Sequence, residues 1–171
     1  MSDTPYQIHD RRLLKAMTKF HAGFQPPHVV LEGLTEAQAT AKPHGVPHSI
    51  AEIVSHMLYW QEFFGGAAIG PFPDLPEHAA EGWPPVPAGG WESLRREFLE
   101  SCKRMESLAE SCARLDARLL PEGVDLPPLA RDSVGSGLLH GAVHSAHHLG
   151  QIVTLRQLMG LWPPPAGSMT W

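Results

Sequence analysis

The run His144-Ser-Ala-His-His148-Leu-Gly-Gln-Ile152 decides how this chain is read. Read as helix, it puts His144 and His148 one turn apart, so both imidazoles leave the same face. Ala142, Val143, Ile152, Val153 and Leu155 supply the apolar surroundings, and the helix starts near Asp132 or Ser133. Gly160 stands where a C-terminal glycine belongs, ahead of Trp162-Pro-Pro-Pro165. At about 100° per residue, His148 lies about 40° to one side of His144, with Gln151 about 20° and His140 about 40° to the other. His140, His144, His148 and Gln151 therefore form a polar stripe bordered by core residues. Such a stripe faces a partner or a cavity, and His147 and Arg156 fall outside it.

Working outward, three more segments carry helical periodicity. The nearest upstream runs from Trp91 to about Leu120, with Leu94, Phe98, Met105, Leu108, Leu115 and Leu119 on its buried face. Another starts at Ser49, where Ser49-Ile-Ala-Glu52 fits a capping box, and is expected to stop at Gly65-Gly66. The first spans Tyr6 to Leu34 and is broken at Gly23-Phe-Gln-Pro-Pro27. Between Leu34 and His48 lies a loop in which Thr35-Glu-Ala-Gln38 fits a second capping box. Residues 65–90 are rich in Gly and Pro, and a connection this long reads as a lid or a crossover. The pattern predicts an all-α chain, an antiparallel four-helix bundle with a long connection between the second and third helices. A single domain covers 1–171, its core about 6–160, and the tail after Pro163 is expected on the surface.

Composition limits the partners. The 171 residues are 43% hydrophobic and 18% charged, as in ordinary globular domains. Thirteen basic against 18 acidic residues leave a net charge of −5, which disfavours nucleic acid. No apolar run is long enough to span a membrane, and the first ten residues lack the basic start and apolar core of a secretory signal. Cys102 and Cys112 sit about 15 Å apart along one predicted helix and cannot bridge each other there. They read as reduced thiols of a cytoplasmic protein.

Eleven histidines remain to be explained. A pair at i and i+4 suits a divalent transition metal, and a third imidazole from a neighbouring helix would leave open coordination positions, as in catalytic zinc sites. His56, between Ile53 and Trp60 at the edge of an apolar face, is the candidate third ligand. Taken alone, each histidine reads first as a hydrogen-bonded core or surface residue. Glu52, Gln61 and Gln151 are candidates to orient the ligands. His140, His48 and His44 are candidates for a general base.

The residues on these helices also resemble a known family. Pro47-His-Ser-Ile-Ala-Glu-Ile-Val-Ser-His56-Met-Leu-Tyr-Trp60 and His140-Gly-Ala-Val-His144-Ser-Ala-His-His148-Leu-Gly-Gln151-Ile are similar to motifs of the DinB/YfiT-like superfamily. Gly82-Trp-Pro-Pro85, Gly89-Gly-Trp-Glu92 and Leu31-Glu-Gly-Leu-Thr-Glu-Ala-Gln38 resemble it more weakly, and the likeness runs over residues 10–160. The resemblance implies a four-helix bundle, often a homodimer, with a divalent metal such as zinc or nickel on three histidines. Matched by position, the ligands are His56, His144 and His148, while His140 and His147 match none. It further implies a small-molecule substrate and transferase chemistry with a low-molecular-weight thiol, or hydrolysis. The alternative is a non-catalytic metal-binding or stress-response protein. No catalytic residue is assigned.

Overall fold

The computed structural model describes residues 10–19, 25–70, 72–87, 90–124 and 129–167. They are helical, without strands. The helices are α1 Arg11–Thr18, α2 Pro27–Val30, α3 Glu36–Thr40, α4 Ile50–Ile69, α5 Gly90–Ser111 and α6 Val134–Leu158, and a 3-10 turn lies at Ala79–Gly82. The start expected at Tyr6 and part of the break expected at 23–27 fall outside the described residues. Pro27 is the first residue of the short α2, where its missing N–H costs no hydrogen bond.

Both capping boxes read from the sequence form. Thr35 and Ser49 accept from the amides of Gln38 and Glu52, whose side chains reach back to the Thr35 and Ser49 amides. A third, Ser133 with Ser136, opens α6. Glu36 caps across the fold as well: its carboxylate accepts from the Trp91 amide at 2.7 Å, at the first turn of α5. The Trp91 indole donates to the Leu34 carbonyl at 2.9 Å.

The first helical segment, expected to reach Leu34, ends with α2 at Val30, and two further boundaries differ from expectation. α4 does not stop at Gly65-Gly66 but continues to Ile69. Glycine costs a helix interior about 1 kcal/mol, but here Ala67 and Ala68 beyond it are buried and Gly65 sits beside Met105 and Leu108. Packing outweighs propensity. Conversely, α5 ends at Ser111 and not near Leu120. The chain at 115–119 turns alongside the start of α6. The Leu115 and Ala117 carbonyls accept from the Gly135 and Val134 amides at 2.8 and 2.9 Å. A helix leaves its first amides without internal partners, and this turning segment supplies them. Leu115, Leu119 and Leu120 are still buried.

α4 packs against both α5 and α6, and α1 also touches both, while α5 and α6 scarcely meet. Two apolar clusters fill the interior. One joins Ile50, Val54, Trp91, Phe98, Leu149 and Ile152. The other joins Leu14, Phe64, Met105, Leu119 and Leu138. Between them lies a polar layer: Gln61 on α4, Ser101 and Cys102 on α5, Ser145 on α6. The Gln61 amide donates to Ser145 Oγ at 3.0 Å and lies 3.5 Å from Cys102 Sγ. The two cysteines are free, and Cys112 falls just past α5. Among the described residues no helix is long and apolar enough to cross a membrane.

The described tail lies on the surface as expected at Pro165, Ala166 and Gly167, but it is anchored at three points. Pro164 is buried, Pro165 packs on Gly33, and the Ala166 amide donates to Glu32 at 3.1 Å.

Candidate metal centre

α4 and α6 face each other over the length that carries His56 on one and His144 and His148 on the other. Their apolar neighbours bury that seam, so the three imidazoles are drawn in with it. His144 Nε2 lies 3.0 Å from His56 Nε2 and 3.1 Å from His148 Nε2. One ligand atom from each of the three falls within 4.8 Å of the others. An ion about 2.0–2.1 Å from each nitrogen fits separations of about 3.0–3.4 Å.

Hydrogen bonding fixes which nitrogen of each ring is available. His56 Nδ1–H donates to the Gly82 carbonyl. His148 Nδ1–H donates to Gln151 Oε1 at 2.7 Å, and Gln151 turns its NH₂ toward His147 Nε2 at 3.1 Å. Both bonds place the ring proton on Nδ1 and leave Nε2 a bare acceptor pointing into the cluster. His144 can donate from its Nε2 to only one of them. Its Nδ1 is itself buried without a partner. The centre therefore holds more lone pairs than protons, which is the donor set a cation satisfies.

Burial keeps the three imidazoles neutral. It lowers His56 to about 4, where the neighbouring His148 adds to the effect and the Gly82 carbonyl opposes it. It lowers His144 to about 3, aided by His148 and His56. His148 is also lowered by burial, against the raising influence of Gln151. A neutral imidazole is the form that binds a metal.

The loop after α4 grips His56 from edge and face. Beyond the Gly82 carbonyl, the Trp83 indole stacks on the His56 ring at 3.8 Å and 9°. His48 stacks on the opposite face of Trp83 at 3.8 Å and 13°. A Cβ on Gly82 would meet the Trp60 indole at 3.0–3.3 Å, so glycine lets the carbonyl come this close. Ser55 Oγ donates to the Pro84 carbonyl at 3.1 Å and ties the loop to α4.

The other sequence candidates divide. Gln151 orients His148, as expected of it. His147, outside the stripe, is exposed; it meets the His148 ring edge-on at 5.0 Å and accepts from the Gln151 NH₂. Glu52 is not at the cluster; it caps α4 and pairs with Lys42 at 2.7 Å. Gln61 serves the polar layer instead. His140 is exposed and stacks on Phe64, with centroids 5.1 Å apart. His44 is exposed, and His48 touches the site through Trp83. Gly82 and Trp83 entered the sequence reading only within a motif-like phrase. An aromatic beside glycine in a proline-rich connection was their one signal.

Helical architecture and a three-histidine cluster across two helices define a class of candidate metal proteins. The sequence profile of the DinB superfamily matches residues 28–152, and the chain belongs to that superfamily. The match takes in His56, His144, His148, the Gly82–Trp83 loop and Gln151. No curated protein and no solved structure matches the chain.

Proposed function

We propose that this protein is a metal-dependent enzyme in which His56, His144 and His148 hold one divalent transition ion, zinc or nickel. The reaction is transfer of a low-molecular-weight thiol to a small molecule, or its hydrolysis. The observation that carries this reading is the convergence of the Nε2 atoms, with the Nδ1–H groups of His56 and His148 committed to Gly82 and Gln151. A divalent ion on three neutral ligands supplies Lewis acidity and favours the deprotonated form of a thiol or water.

The chain's own residues do the rest. Gly82 and Gln151 hold two rings in the tautomer that presents Nε2, and Trp83 covers one face of His56. Cys102 is not the thiol, because burial raises it to about 12 and it lies in the polar layer. The same reading takes the helices as an antiparallel four-helix bundle and the protein as a cytoplasmic homodimer acting on a small molecule.

Elemental analysis of the purified protein, beside His56→Ala and His144→Ala, tests it. About one transition ion per chain, absent from both folded variants, is expected. No metal after reconstitution overturns the reading. Metal whose removal unfolds the chain makes the ion structural and the protein a non-catalytic metal binder.

A further inference from the structure

On the outer side of His148 lies a cavity of about 320 Å³, between the 46–48 segment, α4, Trp83 and the last turns of α6. That size is at the lower end of small-molecule sites, about 300–1,000 Å³. His148 forms part of its wall, so the cavity borders the histidine cluster. Val46, Ile53, Leu155 and Leu158 make most of the remainder apolar. Leu158 is 66% exposed, an apolar surface that an occupant would cover.

The polar groups on the wall are few and mostly committed. Gln151 spends its oxygen on His148 and its NH₂ on His147. The Thr154 hydroxyl donates to the Gly150 carbonyl, leaving only its oxygen lone pair. His48 presents its face to Trp83 and turns Nδ1 toward Glu52 at 3.9 Å, so only its Nε2 is left for an occupant. No Asp, Glu, Lys or Arg lines the cavity, and the nearby Lys42 and Glu52 neutralise each other. Pro47, Gln151, Thr154 and Leu158 are exposed, so a charged molecule here loses only part of its water, but it finds no counter-charge on the wall. Both faces of Trp83 are occupied by histidines, so an occupant meets the indole edge, not a stacking face.

We infer that this cavity binds a small uncharged, largely apolar molecule with at most one hydroxyl-type donor, directed to the Thr154 oxygen. Resting on the metal-enzyme reading, the cavity holds an uncharged part of the substrate beside His148 and not a charged thiol.

The test uses metal-free protein and three probes of one shape: benzyl alcohol, benzoate and benzylammonium. Amide NMR titrations are expected to show saturable shifts at Thr154, Leu155 and Leu158 with benzyl alcohol, and at least about tenfold weaker binding of both ions. Thr154→Trp should fill the cavity and weaken benzyl alcohol at least about tenfold. Should that variant not fold, Leu158→Asp changes only an exposed wall residue, and is expected to weaken benzyl alcohol and strengthen benzylammonium. Equal affinity for the three probes, preference for benzoate, or shifts mapping elsewhere overturns the inference. Metal content is measured separately. Bound metal without probe selectivity sinks the cavity assignment alone, and probe selectivity in a protein that takes up no metal sinks the enzyme reading alone.

Discussion

Helix α6 buries polar side chains in two places, and they are built in opposite ways. At His144 and His148 the inward atoms are ring nitrogens with more lone pairs than protons among them. At Arg156, about two turns further on, the buried atoms are donors that meet carbonyls. The guanidinium donates to the Val30 and Leu161 carbonyls, and Trp162 lies 5.5 Å from its centre. Arg156 is only 2% exposed yet its donors are matched, so it staples α2 and the C-terminal segment to α6. His148 is also buried and His144 half-buried, but their inward nitrogens are unmatched, and a cation completes them. Counting donors against acceptors separates a structural polar group from a binding site where burial alone does not.

The comparison breaks most decisively through the ligands. His148→Ala should lower affinity for zinc by more than about 100-fold, read by chelator competition, with little change in unfolding midpoint of the metal-free protein. Arg156→Ala should do the reverse. Leaving two buried carbonyls unpaired and a side-chain void costs about 3 kcal/mol, or a fall of about 6–12 °C in Tm, while zinc affinity is kept. If Arg156→Ala also loses metal, the two regions are not independent.

Smaller changes sharpen the histidine side. Gly82→Ala pushes a Cβ against Trp60 and shifts the carbonyl that holds His56, so zinc affinity should fall about 10–100-fold with the helices intact by circular dichroism. Gln151→Ala should cost about tenfold, and Gln151→Glu, which keeps an acceptor for His148, should restore it. The mildest effect is on pH. His56 and His144 have folded values below their ordinary 6.5, so the unfolded chain binds protons that the folded chain refuses. Stability of the metal-free protein is therefore full above about pH 6.5 and declines as pH falls toward about 4. Urea midpoints at pH 7 and pH 5 should show the decline, and it should shrink in His144→Ala.

Much of this arrangement was legible in the residues. The i, i+4 spacing places His144 and His148 together whatever the rest of the fold does, because helix periodicity is local. The boxes at Thr35 and Ser49 form for the same reason, each closing within four residues. His56 could be named from its apolar neighbours. Arg156 was read only as lying off the stripe. Its carbonyl partners come from residues far away in sequence, though a basic residue directly after buried Leu155 was a hint.

The sequence by itself determined the helical character, two of the three converging histidines as a pair, and His56 as their candidate partner. Tertiary structure decided that α4 runs through Gly65-Gly66, that α5 stops at Ser111, and that the 72–87 segment lends the Gly82 carbonyl and Trp83 to His56. It also decided that Gln61 and Glu52 serve other networks while Gln151 serves the cluster. The reason is physical. Periodicity and caps are satisfied within a few residues, whereas a helix end, a buried guanidinium or a ring tautomer depends on which distant backbone groups packing brings within hydrogen-bonding reach.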